Sequence, residues 1–162
     1  GDCDINVYIS SDYINKVSLS GSVDCYFNKY ETETLRIKTS GSSDVEGSIY
    51  AGNITIESSG SSDYSLWVDC NVLETKSSGS SDFELRGYAG EHTVNLSGSS
   101  EIEAFGLETK RMKLNASGSF SCEAWVAEKM DVSLSGSGVL RYKGYPVISQ
   151  KVSGACRIYN SN

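Results

Sequence analysis

Ser78-Gly79-Ser80-Ser81-Asp82 decides the fold, because the chain keeps returning to it. Ser-Gly recurs with its glycine at positions 21, 41, 60, 79, 98, 118, 136 and 154, in steps of 20, 19, 19, 19, 20, 18 and 18 residues. Gly1-Asp2-Cys3-Asp4-Ile5 sits one step further back and reads as the tail of a ninth copy. A near-fixed period of this length is the mark of a solenoid, in which each repeat buries its apolar face only against its neighbours.

Numbering each coil from its Ser-Gly glycine sorts the side chains into columns. Position +4 holds Ile5, Cys25, Val45, Tyr64, Phe83, Ile102, Cys122, Leu140 and Ile158, and +6 holds Val7, Phe27, Gly47, Leu66, Leu85, Ala104, Ala124 and Tyr142. On the return run, position −4 gives Val17, Ile37, Ile56, Val94, Leu114 and Val132. Position −2 gives Leu19, Leu96, Ala116, Leu134 and Val152, interrupted by Thr39, Ser58 and Ser77. Apolar residues at every second place mean extended chain with one face buried, so each coil reads as two short strands.

The corners fit this reading. Ser-Gly supplies a residue free to take positive φ where the chain bends, and Gly52, Gly106, Gly144 and Gly87-Tyr88-Ala89-Gly90 mark a second corner. Consecutive coils wound in one sense give parallel strands, and right-handed crossovers are the strong default. The expected fold is all-β: a right-handed parallel β-helix of about eight coils of 18–20 residues, forming a rod roughly 40 Å long at the usual strand spacing. One domain spans 1–162, with atypical terminal coils at about 1–20 and 137–162. The only proline, Pro146, falls in the last of these, where it deletes no ladder bond of the body.

Composition narrows the function. The net charge of −7 and the lack of any block of Lys or Arg argue against a nucleic-acid partner. No apolar run approaches the roughly 20 residues of a spanning helix. The chain opens on Gly1-Asp2-Cys3, as a processed chain does, so the lack of a leader says nothing about compartment. Five cysteines fit neither a zinc site nor a redox pair. Cys25 and Cys122 share an inward column five coils apart, and Cys3 is staggered by two residues from Cys25, so buried free thiols are expected. His92, the only histidine, has no partner at metal spacing and is expected on the surface.

The repeated Ser-Gly-Ser-Ser-Asp, Leu134-Ser135-Gly136-Ser137-Gly138, Tyr142-Lys143-Gly144-Tyr145-Pro146 and Val152-Ser153-Gly154 resemble the head GIN domain family of auto-transporter adhesins of bacterial cell envelopes. The resemblance covers essentially the whole chain. Ser153-Gly154-Ala155-Cys156 departs from the family's usual closing Ser-Gly-Ser-Gly. It implies a right-handed β-helix and an exported protein of the envelope, cell surface or periplasm, often lipid-anchored, here through a segment not in this chain. It carries no biochemical activity with it, and a fold does not by itself supply one.

Two outward columns are candidates for function. Position +3 carries Asp4, Asp24, Asp44, Asp63, Asp82 and Glu101, with Glu46, Glu84, Glu103 and Glu123 beside it at +5. Clustered carboxylates suit a hard divalent cation, which makes Asp44, Asp63, Asp82 and Glu101 weak metal candidates. The stronger reading is that each Asp serves corner N–H groups and keeps the rod soluble, so neither a metal nor a cofactor is expected. Position +7 holds Asn28, Ser48, Trp67, Arg86, Phe105, Trp125 and Lys143. Trp67, Arg86, Phe105 and Trp125 should therefore form an exposed stripe, of the kind that stacks on sugar rings or on a protein partner. The competing reading tucks these rings over the corner. Tyr30, Tyr50, Tyr88 and Tyr145 at +9 are expected to pack. Lys16, Arg36, Lys38, Lys76, Lys113 and Lys151 make the opposite face mixed to basic.

The stripe points to a non-enzymatic, adhesin-like surface protein that binds glycan or protein, or that self-associates into a homo-oligomer. A passive spacer or assembly cap is the alternative. A polysaccharide-active enzyme is disfavoured, because coils varying by two residues leave no long loop to build a cleft.

Overall fold

A computed structural model describes the backbone of residues 5–9 and 14–162, with side chains from Ile14 onward. Among these residues eleven strands form one sheet: β1 (Ile5–Ile9), β2 (Lys16–Leu19), β3 (Val23–Thr39), β4 (Asp44–Ser58), β5 (Asp63–Ser77), β6 (Asp82–Leu96), β7 (Ser99–Ala116), β8 (Ser119–Leu134), β9 (Ser137–Lys143), β10 (Val147–Val152) and β11 (Ala155–Asn160). Their order is β1-β3-β4-β5-β6-β7-β8-β9-β11, with β2 on β3 and β10 on β8. Every pairing is parallel. The sheet is wound on itself as a parallel β-helix of about eight turns, as the repeat requires.

The columns hold. Cys25, Val45, Tyr64, Phe83, Ile102, Cys122, Leu140 and Ile158 face one another across successive coils. On the return run Val17, Ile37, Ile56, Thr75, Val94, Leu114 and Val132 do the same. Their inward side chains merge into a continuous core, each large apolar residue contributing about 2 kcal/mol by its removal from water. The first coil is offset from the expected register: Val7, not Ile5, stands opposite Cys25. A two-residue offset leaves the alternation in phase. The expected stagger of Cys3, and the place of Asp4 in the acid column, lie outside the described residues.

Two further expectations change. Each of the six middle coils, β3 to β8, is one strand of 15–18 residues that continues through its bend, not two short strands. The bend is taken by residues at positive φ, Gly47 at 124° and Gly87 at 106°, and by shifts of register where coil length changes. Between the 20-residue coil of β3 and the 19-residue coil of β4 the shift falls at Phe27/Tyr30, and there Lys29 is the one non-glycine residue with positive φ, among the described residues.

The Ser-Gly glycines are needed for a different reason from the one expected. Only Gly21, Gly136 and Gly154 of that column have positive φ. At Gly79 a Cβ atom would lie 2.0 Å from the carbonyl oxygen of Gly60, and the same clash recurs at Gly41, Gly60, Gly98 and Gly118. Each following residue donates its N–H to the glycine carbonyl one coil back, as Ser80 does to Gly60 at 3.0 Å, so the corners stack too closely for any side chain.

Beneath these corners runs a buried seam of hydroxyls. Ser43, Ser62, Ser81 and Ser100 face inward, as do Thr39, Ser58 and Ser77. Ser58 meets Ser81 at 2.6 Å, Ser77 meets Ser100 at 2.8 Å, and Thr39 meets the Tyr64 hydroxyl at 2.6 Å. The Ser62 and Ser81 hydroxyls accept from the backbone N–H of Ser43 and Ser62 at 3.2 and 3.1 Å. No buried side-chain N or O lacks a partner among the described residues, as a buried polar seam demands.

Candidate functional site

The acid and aromatic columns share one outward face. Asp44, Asp63, Asp82 and Glu101 stand directly opposite one another on successive strands, flanked by Glu46, Glu84 and Glu103 around a groove of about 300 Å³. Burial first, and then the charges of Asp24, Asp63 and Glu46, push the Asp44 carboxyl above the usual range. Burial and Glu103 do the same at Glu123, against the opposing pull of Arg141. No group of three or more His, Cys, Asp or Glu is placed to hold a metal ion, among the described residues. The corner role expected of the acids belongs instead to the serines of the seam. One carboxylate takes part in it: Asp24 Oδ1 accepts from the Asp44 N–H at 3.3 Å.

Of the four stripe residues, Trp67 and Arg86 stand opposite each other on β5 and β6. Trp67 is 40% exposed, its ring 5.3 Å from that of Tyr50 and lying against Gly87. Arg86 turns to Glu84 and forms an ion pair with it. The column then breaks. The 20-residue coil of β7 shifts the register, so Arg86 faces Gly106 and not Phe105, and Trp125 faces Glu108. Phe105 is half-buried under the Lys143 ammonium, 4.5 Å from its ring centre, whereas Trp125 is 38% exposed beside Lys143. The stripe is therefore two patches, Tyr50-Trp67-Arg86 and Phe105-Trp125-Lys143, not one straight row. Counting from glycine to glycine could not reveal the break, because it does not say where in a coil the extra residue sits.

Among the +9 tyrosines, Tyr30 is buried and packs as expected, while Tyr145 is 87% exposed. Neighbouring coils do not stack them, since Tyr50 and Tyr88 both face Asp69.

The opposite face pairs carboxylates with its own cations. Glu57 pairs with Arg36 and Lys76, Glu74 with Lys76, Glu91 with Arg111 and Asp131 with Lys129. On the acidic face, Glu84 alone of Asp24, Asp44, Glu46, Asp63, Asp82, Glu84, Glu101, Glu103 and Glu123 makes an ion pair with a described residue. A second groove of about 560 Å³ follows the Ser-Gly corner, lined by Lys38, Glu57, Lys76, Asn95, Asn115 and exposed serines. Asn115 Nδ2 donates to Asn95 Oδ1 there at 3.1 Å.

His92 is a correction: it is buried, not on the surface. It lies in an inward column at −6, opposite Leu73 and Met112, with its Nε2 3.0 Å from the Thr75 hydroxyl. Burial pulls its pKa down to about 4, so it is neutral at pH 7. The signal was available, since −6 continues the alternation of −4 and −2. Cys25, Cys70 and Cys122 are buried free thiols, and Cys156 is a half-buried one. Burial pushes Cys25 up to about 11 and both Cys70 and Cys122 up to about 12. No helix long and apolar enough to cross a membrane occurs among the described residues.

No curated protein matches the sequence. A crystal structure named as a "putative lipid binding protein" from Parabacteroides distasonis superposes with a TM-score of 0.83 at 23% identity, covering 91% of this chain. This chain spans 62% of that one, and at such identity the likeness establishes the fold alone. A family model described as "putative auto-transporter adhesin, head GIN domain" matches residues 1–146. The coil pattern, its corners and this match agree: the chain belongs to the head GIN domain family.

Proposed function

We propose that this chain is a non-enzymatic binding module of the bacterial cell surface, which contacts a glycan or protein ligand through the face carrying Trp67, Arg86, Phe105 and Trp125. The observation that carries the reading is the exposure of both tryptophans, 40% at Trp67 and 38% at Trp125, in a chain that buries Phe27, Tyr30, Tyr64, Phe83 and Phe120. Half-covered indole rings on a rigid sheet keep one face open for stacking, and on such a scaffold they lose little entropy when a partner takes it. Family membership supports an adhesin-like role at the surface. Coils of nearly constant length, with no long loop over either face among the described residues, support binding rather than catalysis.

Tryptophan fluorescence tests this directly, because Trp67 and Trp125 are the only tryptophans. The expected result is ready quenching by acrylamide, and a blue shift with at least one member of a panel of host and bacterial glycans or surface proteins. Emission that is already blue and unquenchable would remove the support for a free binding face.

A further inference from the structure

Taking the tryptophan face as a contact surface leaves the chemistry of its partner to be named, and the distribution of ion pairs on the two faces names it. We propose that this face takes an extended, basic segment of another polypeptide, with arginine as the residue that reads it. The inference rests on the binding reading above and goes on to give the partner its charge and its side chain.

Three observations carry it. First, the two faces treat their charges oppositely: the return-run face pairs its carboxylates with its own Lys and Arg, and the tryptophan face leaves Asp44, Glu46, Asp63, Asp82, Glu101 and Glu103 without a described cation. Stacked like charges repel at strand spacing, so an incoming cation gains attraction and also relieves repulsion already in place. Second, aromatic rings border carboxylates. Asp69 stands opposite Tyr50 and two places along β5 from Trp67, and Glu123 stands two places along β8 from Trp125. A flat guanidinium can stack on a ring and fork onto a carboxylate together, which neither a sugar hydroxyl nor a lysine ammonium does. Third, the chain already sets cations of its own at these patches. Arg86 forms its ion pair with Glu84 next to Trp67, and Lys143 sits over Phe105, so each patch holds one internal cation while the Tyr50-Trp67 side stays open. An extended segment suits the surface when it runs along the strands, because alternate outward residues there, such as Trp67 and Asp69 on β5 or Asp82 and Glu84 on β6, recur at about 7 Å as its own side chains do.

The experiment uses the intact chain and three synthetic peptides of equal length, alternating Arg-Ser, Lys-Ser and Glu-Ser, with the glycan panel run beside them. Binding is read by tryptophan fluorescence and calorimetry, and oligomeric state by sedimentation. The expected order is Arg-Ser tighter than Lys-Ser, with no binding of Glu-Ser. Raising the salt from about 0.05 M to about 0.5 M should weaken the Arg-Ser complex at least about tenfold. Trp67→Ala should lower its affinity several-fold, and the surface double variant Asp63→Asn/Asp82→Asn about tenfold.

Arg-Ser binding that is unchanged by Trp67→Ala would overturn the inference, as mere attraction of cations to an acidic rod. A glycan that shifts the fluorescence while Arg-Ser does not would also overturn it, yet leave the binding face standing. Concentration-dependent self-association that hides both tryptophans would make the partner a second copy of this chain and overturn it as well. If no probe moves the tryptophan fluorescence although acrylamide quenches it readily, the binding reading itself fails.

Discussion

The inner side of the Ser-Gly corner is built in two ways along the same rod. From Thr39 to Ser100 it is lined with hydroxyls that bond to one another and to the corner backbone. From Leu96 onward the equivalent places hold Leu96, Ala116, Leu134 and Phe120, all buried. The outer corner hardly changes between the two halves, since glycine stacks on glycine through both. Backbone stacking therefore fixes the coil, and the interior chemistry beneath it is free to vary. The condition is that each half be consistent: a polar seam must satisfy every hydroxyl, and an apolar one must fill its volume.

The largest effect should come from the feature the halves share. Gly79→Ala puts a methyl 2.0 Å from the Gly60 carbonyl oxygen, a backbone atom that cannot swing aside. We expect a loss of about 3 kcal/mol or failure to fold, measured by urea unfolding. Within the apolar half, Leu96→Ala should cost a similar amount, about 3 kcal/mol, through the cavity it leaves. If Gly79→Ala were neutral, the stacked corner would not be what holds the coil.

An effect of similar size, spread over pH, comes from the buried His92–Thr75 pair within the hydroxyl half. His92 is buried against Thr75, and burial holds its pKa at about 4, below the ordinary value of 6.5. The native state thus disfavours the proton that the unfolded chain accepts. Its stabilising contribution is complete above pH 6.5 and is lost as pH falls from 6.5 towards 4, by roughly 3 kcal/mol in all. Asp44 and Glu123 act in the opposite sense: their raised pKa values make the native state take protons more readily, so they add stability as the pH falls. A melting temperature that drops between pH 6.5 and 4, and drops less in His92→Gln, is the expected result. An unchanged slope in that variant would assign the acid sensitivity elsewhere.

The sequence made the coil legible because two independent periods coincide in it. The glycine spacing gives the turn, and the two-residue alternation gives the inward columns from Cys25 to Ile158. Features that depend on registry within a coil were hidden. The one-residue excess in β7 moves Phe105 away from Arg86, and no residue type marks where the ladder absorbs it. His92 is legible by the same alternation: it continues the −6 column, in which Leu35, Ile54 and Leu73 precede it and are all buried. Thr39, Ser58 and Ser77 looked like interruptions of an apolar column. Their sense appears only when the inward Ser43, Ser62, Ser81 and Ser100 come within bonding distance, a contact across more than 20 residues of chain in the case of Ser58 and Ser81.

That hydroxyl seam gives a smaller test. Ser81→Ala removes one of the two hydroxyl partners of Ser58, Thr39 being the other, and the acceptor for the Ser62 N–H at once, with almost no change in volume. A loss of about 1–2 kcal/mol is expected, which is the cost of leaving buried polar groups unpaired and is less than the cavity cost at Leu96. Alanine at Ser80, which faces outward, should be near neutral and serves as the control. Equal effects at the two serines would mean that the seam adds nothing beyond filling space.

The finest distinction concerns the thiols, which report on packing without a mutation. Cys25 and Cys122 sit in the same inward column at opposite ends of the rod, and Cys70 lies under the second bend. Burial raises all three pKa values, so at pH 8 each is both shielded and protonated, and the thiolate that an alkylating reagent needs is scarce. Cys156 is only half-buried, at the end of the core. Iodoacetamide should therefore label Cys156 in the native chain, and Cys25, Cys70 and Cys122 only as the coils that hold them open. Because Cys25 lies near the hydroxyl half and Cys122 within the apolar half, their relative labelling rates in mild urea measure which half opens first. Equal rates mean that the rod unfolds as one unit. A faster Cys25 would show that the hydrogen-bonded seam, though fully satisfied, closes the corner less firmly than packed leucine and phenylalanine do.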